Sequence, residues 1–105
     1  MQTTSSDLGQ LIRQLRKKHN LTLHQVALGV DVDSPLLSKI ERGERFPTLE
    51  QAKKIAVFFN VDEDEFLAKL TAGKIIKEYG ISEVTLNAVL IVQEQIEEMK
   101  YGKND

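Results

Sequence analysis

Helix starts and stops recur so closely between residues 7 and 70 that only short helices fit there. Thr22 is followed three residues on by Gln25, and Thr48 by Gln51. That is the capping-box spacing, in which a hydroxyl accepts from the third amide of a helix and the Gln side chain answers back. Asp33 or Ser34 opens another helix, with Pro35 in the first turn, where its missing N–H costs nothing. The stops are equally dense. Asn20 and Asn60 tolerate the left-handed conformation a helix end often needs, Gly43 ends the helix before it, and Pro47 prevents resumption.

Between these marks, apolar residues recur at helical spacing: Leu8, Leu11, Ile12 and Leu15, then Leu23, Val26, Ala27 and Val30, then Leu37 and Ile40. The pattern continues with Leu49, Ala52, Ile55, Ala56 and Phe59, and with Phe66, Leu67 and Leu70. The expected fold is all-α, five short helices joined by turns of two to six residues. The first helix is expected over residues 7–19, capped by Ser6 or Asp7, and the fifth starts at Asp62. Phe58 and Phe59 are adjacent, so they point to different faces and only one belongs to the core.

The chain divides at residue 70 into this unit, 1–70, and an extension, 71–105. Gly73 and Gly80 bracket a segment compatible with a helical turn or a short strand, and Ser82 then caps a long helix over about residues 83–101. Only residues 102–105 look loose. At about 100° per residue, Val84, Ala88, Ile91, Val92, Ile96 and Met99 share a stripe, while Leu86 and Leu90 lie nearly opposite. A helix apolar on two sides buries both. The five-helix unit is expected to cover one face and a second copy the other. Residues 74–101 are thus the expected dimerisation element, with Leu86, Val89, Leu90 and Ile96 in the contact. The competing reading is that the tail wraps its own domain. Glu94, Glu97 and Glu98 are expected to face solvent.

Composition removes whole function classes. The 105 residues include no cysteine, so neither a disulfide framework nor a thiolate zinc site is available. The longest apolar run, residues 88–92, is far short of the roughly 20 needed to cross a bilayer. The polar N-terminus has no apolar stretch of the signal-peptide kind, and a cytoplasmic location without membrane contact is the default expectation. His19 and His24, with no carboxylate pattern nearby, suggest no metal site. No serine–histidine–aspartate order or phosphate-cradling glycine loop is present, and Ser38 and Lys39 point about 100° apart on a helix, so no dyad forms. The expectation is a non-enzyme with no cofactor and no catalytic residue.

Charge then points to a partner. The net charge is −2, yet residues 1–60 hold nine basic against six acidic residues, and residues 61–105 hold five against ten. A basic front half suits phosphates, although chance imbalance between two solvated surfaces would look the same. The helices at 23–30 and from 34 form a helix-turn-helix candidate, whose second helix can lie in a major groove.

The string over residues 21–51 carries a more specific signal. Its Leu21-Thr22, Val26-Ala27, Val32, Leu37-Ser38-Lys39-Ile40-Glu41-Arg42-Gly43 and Pro47-Thr48-Leu49-Glu50 resemble the lambda-repressor/Cro-like family, also called the XRE family. The likeness covers about residues 8–70, two-thirds of the chain. It implies a DNA-binding transcriptional regulator with a recognition helix over residues 34–42. It implies that Ser34, Pro35, Leu36 and Lys39 face bases, with Lys39 donating to guanine and Leu36 packing on a thymine methyl. It places Thr22, Ser38, Arg42 and Arg45 on backbone phosphates, Thr22 with the helix N-terminus beside it. It also matches Arg16 and Glu41 to a scaffold pair joining the first and third helices. At Lys39 the competing reading is a plain solvated lysine. Two residues depart from the family pattern. Leu23 stands where a phosphate-binding Gln is common, and Pro35 stands where a polar reader is usual.

The leading expectation is a homodimeric repressor or autoregulator reading double-stranded DNA. The alternative is an antitoxin-type protein or a restriction–modification controller whose tail binds a protein partner.

Overall fold

Thr22 and Thr48 act as their spacing predicts. Each hydroxyl accepts from the amide three residues on at 3.1 Å, and each Gln side chain accepts the threonine amide, at 2.8 Å for Thr22 and 2.9 Å for Thr48. The computed structural model describes residues 4–101, with side chains from residue 8 onward. Its helices are α1 (Thr4–Lys18), α2 (Leu23–Val30), α3 (Ser34–Glu41), α4 (Leu49–Phe59), α5 (Glu63–Tyr79) and α6 (Glu83–Tyr101). There is no strand among the described residues. The all-α expectation stands, with five helices followed by a long sixth.

Helix ends follow local chemistry. Asn20, Asp31 and Asn60 adopt left-handed φ values of 56°, 61° and 56°, and the Asp31 and Asn60 amides close back on the helices they end. Asp33 caps α3 by accepting the Leu36 amide at 2.8 Å. Asp62 precedes α5 but makes no side-chain cap bond. Glu63, Asp64 and Glu65 instead place negative charge against the exposed amides of the first turn.

Two boundaries differ from expectation. α1 is already helical at Thr4, so Ser6 and Asp7 lie inside it and not at its start. α5 runs on through residues 71–79, so the ambiguous segment is helix. Gly73 is buried within α5 and does not end it; the break comes at Gly80, where φ is 88°. Residues 102–105, expected to be loose, lie outside the described residues.

The core gathers Leu8 and Ile12 of α1, Val26 and Val30 of α2, Leu37 and Ile40 of α3, Ala52, Ile55 and Phe59 of α4, and Phe66 and Leu70 of α5. Each large apolar side chain so buried contributes about 1.5–3 kcal/mol relative to exposure. Phe59 is in the core; Phe58 is half out, edge-on to it with ring centroids 5.0 Å apart.

α6 departs most from expectation. Thr85 is its only buried residue, tied back by its hydroxyl to the Tyr79 carbonyl at 3.1 Å. Val84, Leu86, Leu90, Ile91, Val92, Ile96 and Met99 are all exposed. The five-helix unit therefore covers neither apolar stripe along the length of α6, and the tail does not wrap its own domain. The short Gly80–Ser82 link sends the helix away from the bundle, lengthening the molecule to 53 Å against widths of 30 and 20 Å. Among the described residues, no helix is long and apolar enough to cross a membrane.

Candidate nucleic-acid interface

α2 and α3 are joined by Asp31, Val32 and Asp33, a turn that the left-handed Asp31 makes possible. Val26, Ala27 and Val30 hold α2 to the core, and Leu37 and Ile40 do the same for α3. The inward face of α3 is thereby committed, and its other side is turned to solvent. Pro35 and Lys39 are exposed there, and Ser34 and Ser38 are half-buried. Leu36 is half-buried too, because it leans on the core. Only part of its surface is open to a base.

α1 clamps α3 from behind. Arg16 Nε donates to Glu41 Oε2 at 2.8 Å and Nη2 to Oε1 at 3.0 Å, while Nη1 reaches the Leu21 carbonyl at 3.2 Å. The Glu41 side chain is only 4% exposed and that of Arg16 14%. Hydrogen bonding to Glu41 raises the Arg16 pKa above its ordinary value, against a smaller opposing effect of burial. Gly9 makes the approach possible, since a Cβ there would sit 2.4 Å from the Ile40 carbonyl oxygen and 2.5 Å from that of Glu41. A forked ion pair and a glycine contact thus fix α3 to α1.

Cations ring the solvent side. Lys39, Arg42 and Arg45 are exposed on and just beyond α3. Arg42 is already engaged: Nε donates to Glu44 Oε2 at 2.8 Å, Nη2 to Oε1 at 3.2 Å, and Nη1 to the Ser38 hydroxyl. The Arg42 hydrogen bonds hold the Glu44 carboxyl below the usual carboxylate range, and Lys39 adds a smaller electrostatic pull in the same direction. No carboxylate pairs with Lys39 or Arg45 among the described residues.

Thr22 is exposed at the start of α2, but its capping box uses its own amide and that of Gln25. The amides of Leu23 and His24 are the first-turn donors the box leaves over, and the Thr22 hydroxyl can still donate. The outer side of α3 thus carries Ser34, Pro35, Ser38 and Lys39, with Arg42 and Arg45 exposed just beyond it and the Arg16–Glu41 pair on its inner side.

Two residues at this surface escaped the sequence reading. His24 Nδ1 lies 3.3 Å from the Ser34 hydroxyl, joining α2 to the first residue of α3. Their ten-residue separation across a turn gives no local signal. Glu44 did leave one: an acid two residues after Arg42, across Gly43. Gly43 takes a φ of 76° and turns the chain, and Glu44 lies back beside Arg42.

Comparison with known proteins agrees with this geometry. A helix-turn-helix family profile matches residues 12–66. The chain is 37% identical over 62 residues to the HTH-type transcriptional activator BcrR of Enterococcus faecalis, covering 59% of this chain and 30% of that protein. It is 36% identical over 64 residues to the uncharacterized HTH-type transcriptional regulator RghRB of Bacillus subtilis (strain 168), covering 60% and 46%. It is also 30% identical over 73 residues to the ImmF control region 10 kDa protein of Bacillus phage phi105, covering 70% and 79%. The match spans less than half the length of the first two relatives. No solved structure matches the chain. With the α2–turn–α3 geometry and the family match in agreement, the chain belongs to the XRE-type helix-turn-helix family of DNA-binding transcriptional regulators.

Proposed function

We propose that α3 enters the major groove of double-stranded DNA and that the chain acts as a homodimeric repressor or autoregulator. Ser34, Pro35, Leu36 and Lys39 face the bases. Lys39 is the principal reader, donating to guanine O6 or N7. Pro35 and Leu36 contribute shape and apolar contact. Thr22, Ser38, Arg42 and Arg45 contact phosphates, which supply register and most of the salt-dependent affinity. The observation that carries this reading is the open, cationic outer side of a recognition helix whose inner side is locked by Leu37, Ile40 and the Arg16–Glu41 pair. Repression is the default because a protein seated in a promoter's major groove excludes others without any further contact.

Residues 1–70 form the DNA-binding unit and 71–105 the dimerisation extension, in which Leu86, Val89, Leu90 and Ile96 of two copies meet. The uncovered stripes of α6 support this reading, as does the symmetry argument that two half-sites about 34 Å apart match a two-fold dimer. The same bare stripes favour one second reading, an antitoxin or restriction–modification controller whose α6 binds a different protein.

Selection of bound sites from random duplexes tests both halves. Lys39→Glu should abolish the preference for the selected site over mixed sequence at fixed salt; an unchanged preference contradicts the assignment of α3. A palindromic site, with sedimentation equilibrium showing a dimer that Leu86→Glu and Leu90→Glu together dissociate, supports the homodimer. A monomer under the same conditions favours the second reading.

A further inference from the structure

We infer that Glu44 is an intramolecular phosphate surrogate: in the unbound chain its carboxylate occupies the fork of Arg42 that a DNA phosphate takes on binding. This rests on the reading that Arg42 contacts the DNA backbone. Arg42 meets the carboxylate with two roughly parallel bonds, Nε to Oε2 at 2.8 Å and Nη2 to Oε1 at 3.2 Å. A guanidinium recognises two oxygens of a phosphate through the same fork. Nη1 is held by Ser38, so the planar group is oriented before any ligand arrives.

Exposure separates this pair from the other arginine–carboxylate pair among the described residues. The Arg16–Glu41 side chains are 14% and 4% exposed, and no DNA oxygen can replace that carboxylate without opening the core. The Arg42–Glu44 side chains are 51% and 54% exposed, so a phosphate can approach and exchange. The pair also stands one residue from Arg45, which has no carboxylate partner among the described residues. Two neighbouring cations are therefore unequal. Arg45 is available to any phosphate, whereas Arg42 must first leave Glu44.

Two consequences follow. Exchange trades one anion for another at Arg42, so Arg42 releases less than a full counterion and contributes less than Arg45 to the salt dependence. It also leaves the Glu44 carboxylate unpaired beside a phosphate. Glu44 thus weakens binding to all sequences by the same factor, without touching a base.

The test uses the full chain and a labelled mixed-sequence duplex, with affinity followed by fluorescence anisotropy over a range of salt. The proteins are the wild type, Glu44→Gln, Arg42→Gln and the double variant. Both side chains are half-exposed, and circular dichroism checks that each variant stays helical. Glu44→Gln should tighten binding roughly threefold, the scale of an exposed ion pair, and steepen the salt slope by up to about one unit. In the Arg42→Gln background the same change should tighten binding distinctly less, because only the repulsion between Glu44 and the phosphate is then relieved. Equal tightening in both backgrounds overturns the inference, because Glu44 then acts as a bare charge and not through Arg42. No tightening in either background also overturns it. Failure of the underlying reading looks different: Arg42→Gln alone then binds as tightly as the wild type, and the inference falls with it.

Discussion

Glu41→Ala tests whether α3 is set by its clamp to α1. The substitution removes two charge-assisted bonds, at 2.8 and 3.0 Å, from a carboxylate whose side chain is 4% exposed. Bonds of this kind contribute about 1.5–3 kcal/mol each, and stripping one partner from a buried pair costs about 3–5 kcal/mol. Arg16 keeps its bond to the Leu21 carbonyl at 3.2 Å, and its side chain is 14% exposed, so water can reach part of the orphaned group. The lower end applies, about 3 kcal/mol, a large share of the roughly 5–15 kcal/mol that holds a domain folded. Glu41→Gln keeps one acceptor and the side-chain volume and should cost about 1–2 kcal/mol. Adding Arg16→Met to Glu41→Leu removes both charges and should restore most of the loss, because burying the pair itself costs desolvation. Urea unfolding followed by far-UV circular dichroism measures all of these. A loss below about 1 kcal/mol for Glu41→Ala would refute the reasoning, since it falls under the contribution of one charged hydrogen bond.

The two close glycine contacts should behave oppositely. Gly9→Ala drives a Cβ onto two backbone carbonyls of α3 that cannot yield, and thermal unfolding should show a loss of about 1–3 kcal/mol or more despite better helix propensity. Gly29→Ala meets only the Phe58 ring, 2.2 Å away at its nearest atom but 37% exposed and free to swing outward. Its stability should change by less than about 1 kcal/mol, because the helix-propensity gain offsets the displaced ring. The third expectation concerns pH. Hydrogen bonds from Arg42 hold the Glu44 carboxyl below its ordinary value, so the pair is fully formed above the unfolded-state carboxylate pKa and is lost as pH falls through the lowered one. Carbon-detected NMR should place the Glu44 midpoint below the ordinary glutamate value, and Arg42→Gln should return it toward that value.

What the chain revealed in advance was what neighbouring residues decide. Thr22 with Gln25, Thr48 with Gln51, Asp33, Asn20 and Asn60 act over three or four residues, and their roles were legible from spacing. Gly73 was not, because whether a glycine ends a helix depends on its tertiary surroundings, and here it is buried within α5. Arg16 and Glu41 lie 25 residues apart, so only the family likeness suggested that pair, and no local pattern could. The pairing of Arg42 with Glu44 had a local signal that went unread, an acid two residues on across Gly43, whose positive φ brings residue 44 beside residue 42. Periodicity showed that α6 is apolar on two faces but carries no information about what covers them. The expectation that the bundle covers one face failed because the Gly80 break carries α6 outward.

The most direct test of the central claim is methylation interference on a selected duplex. Guanine N7 lies in the major groove beside O6, where Lys39 is proposed to donate, and adenine N3 lies in the minor groove. The account predicts that an N7 methyl on a guanine within each half-site blocks binding, and that Lys39→Ala loses sensitivity to that methyl. Interference confined to adenine N3, with N7 methylation tolerated throughout, would contradict it.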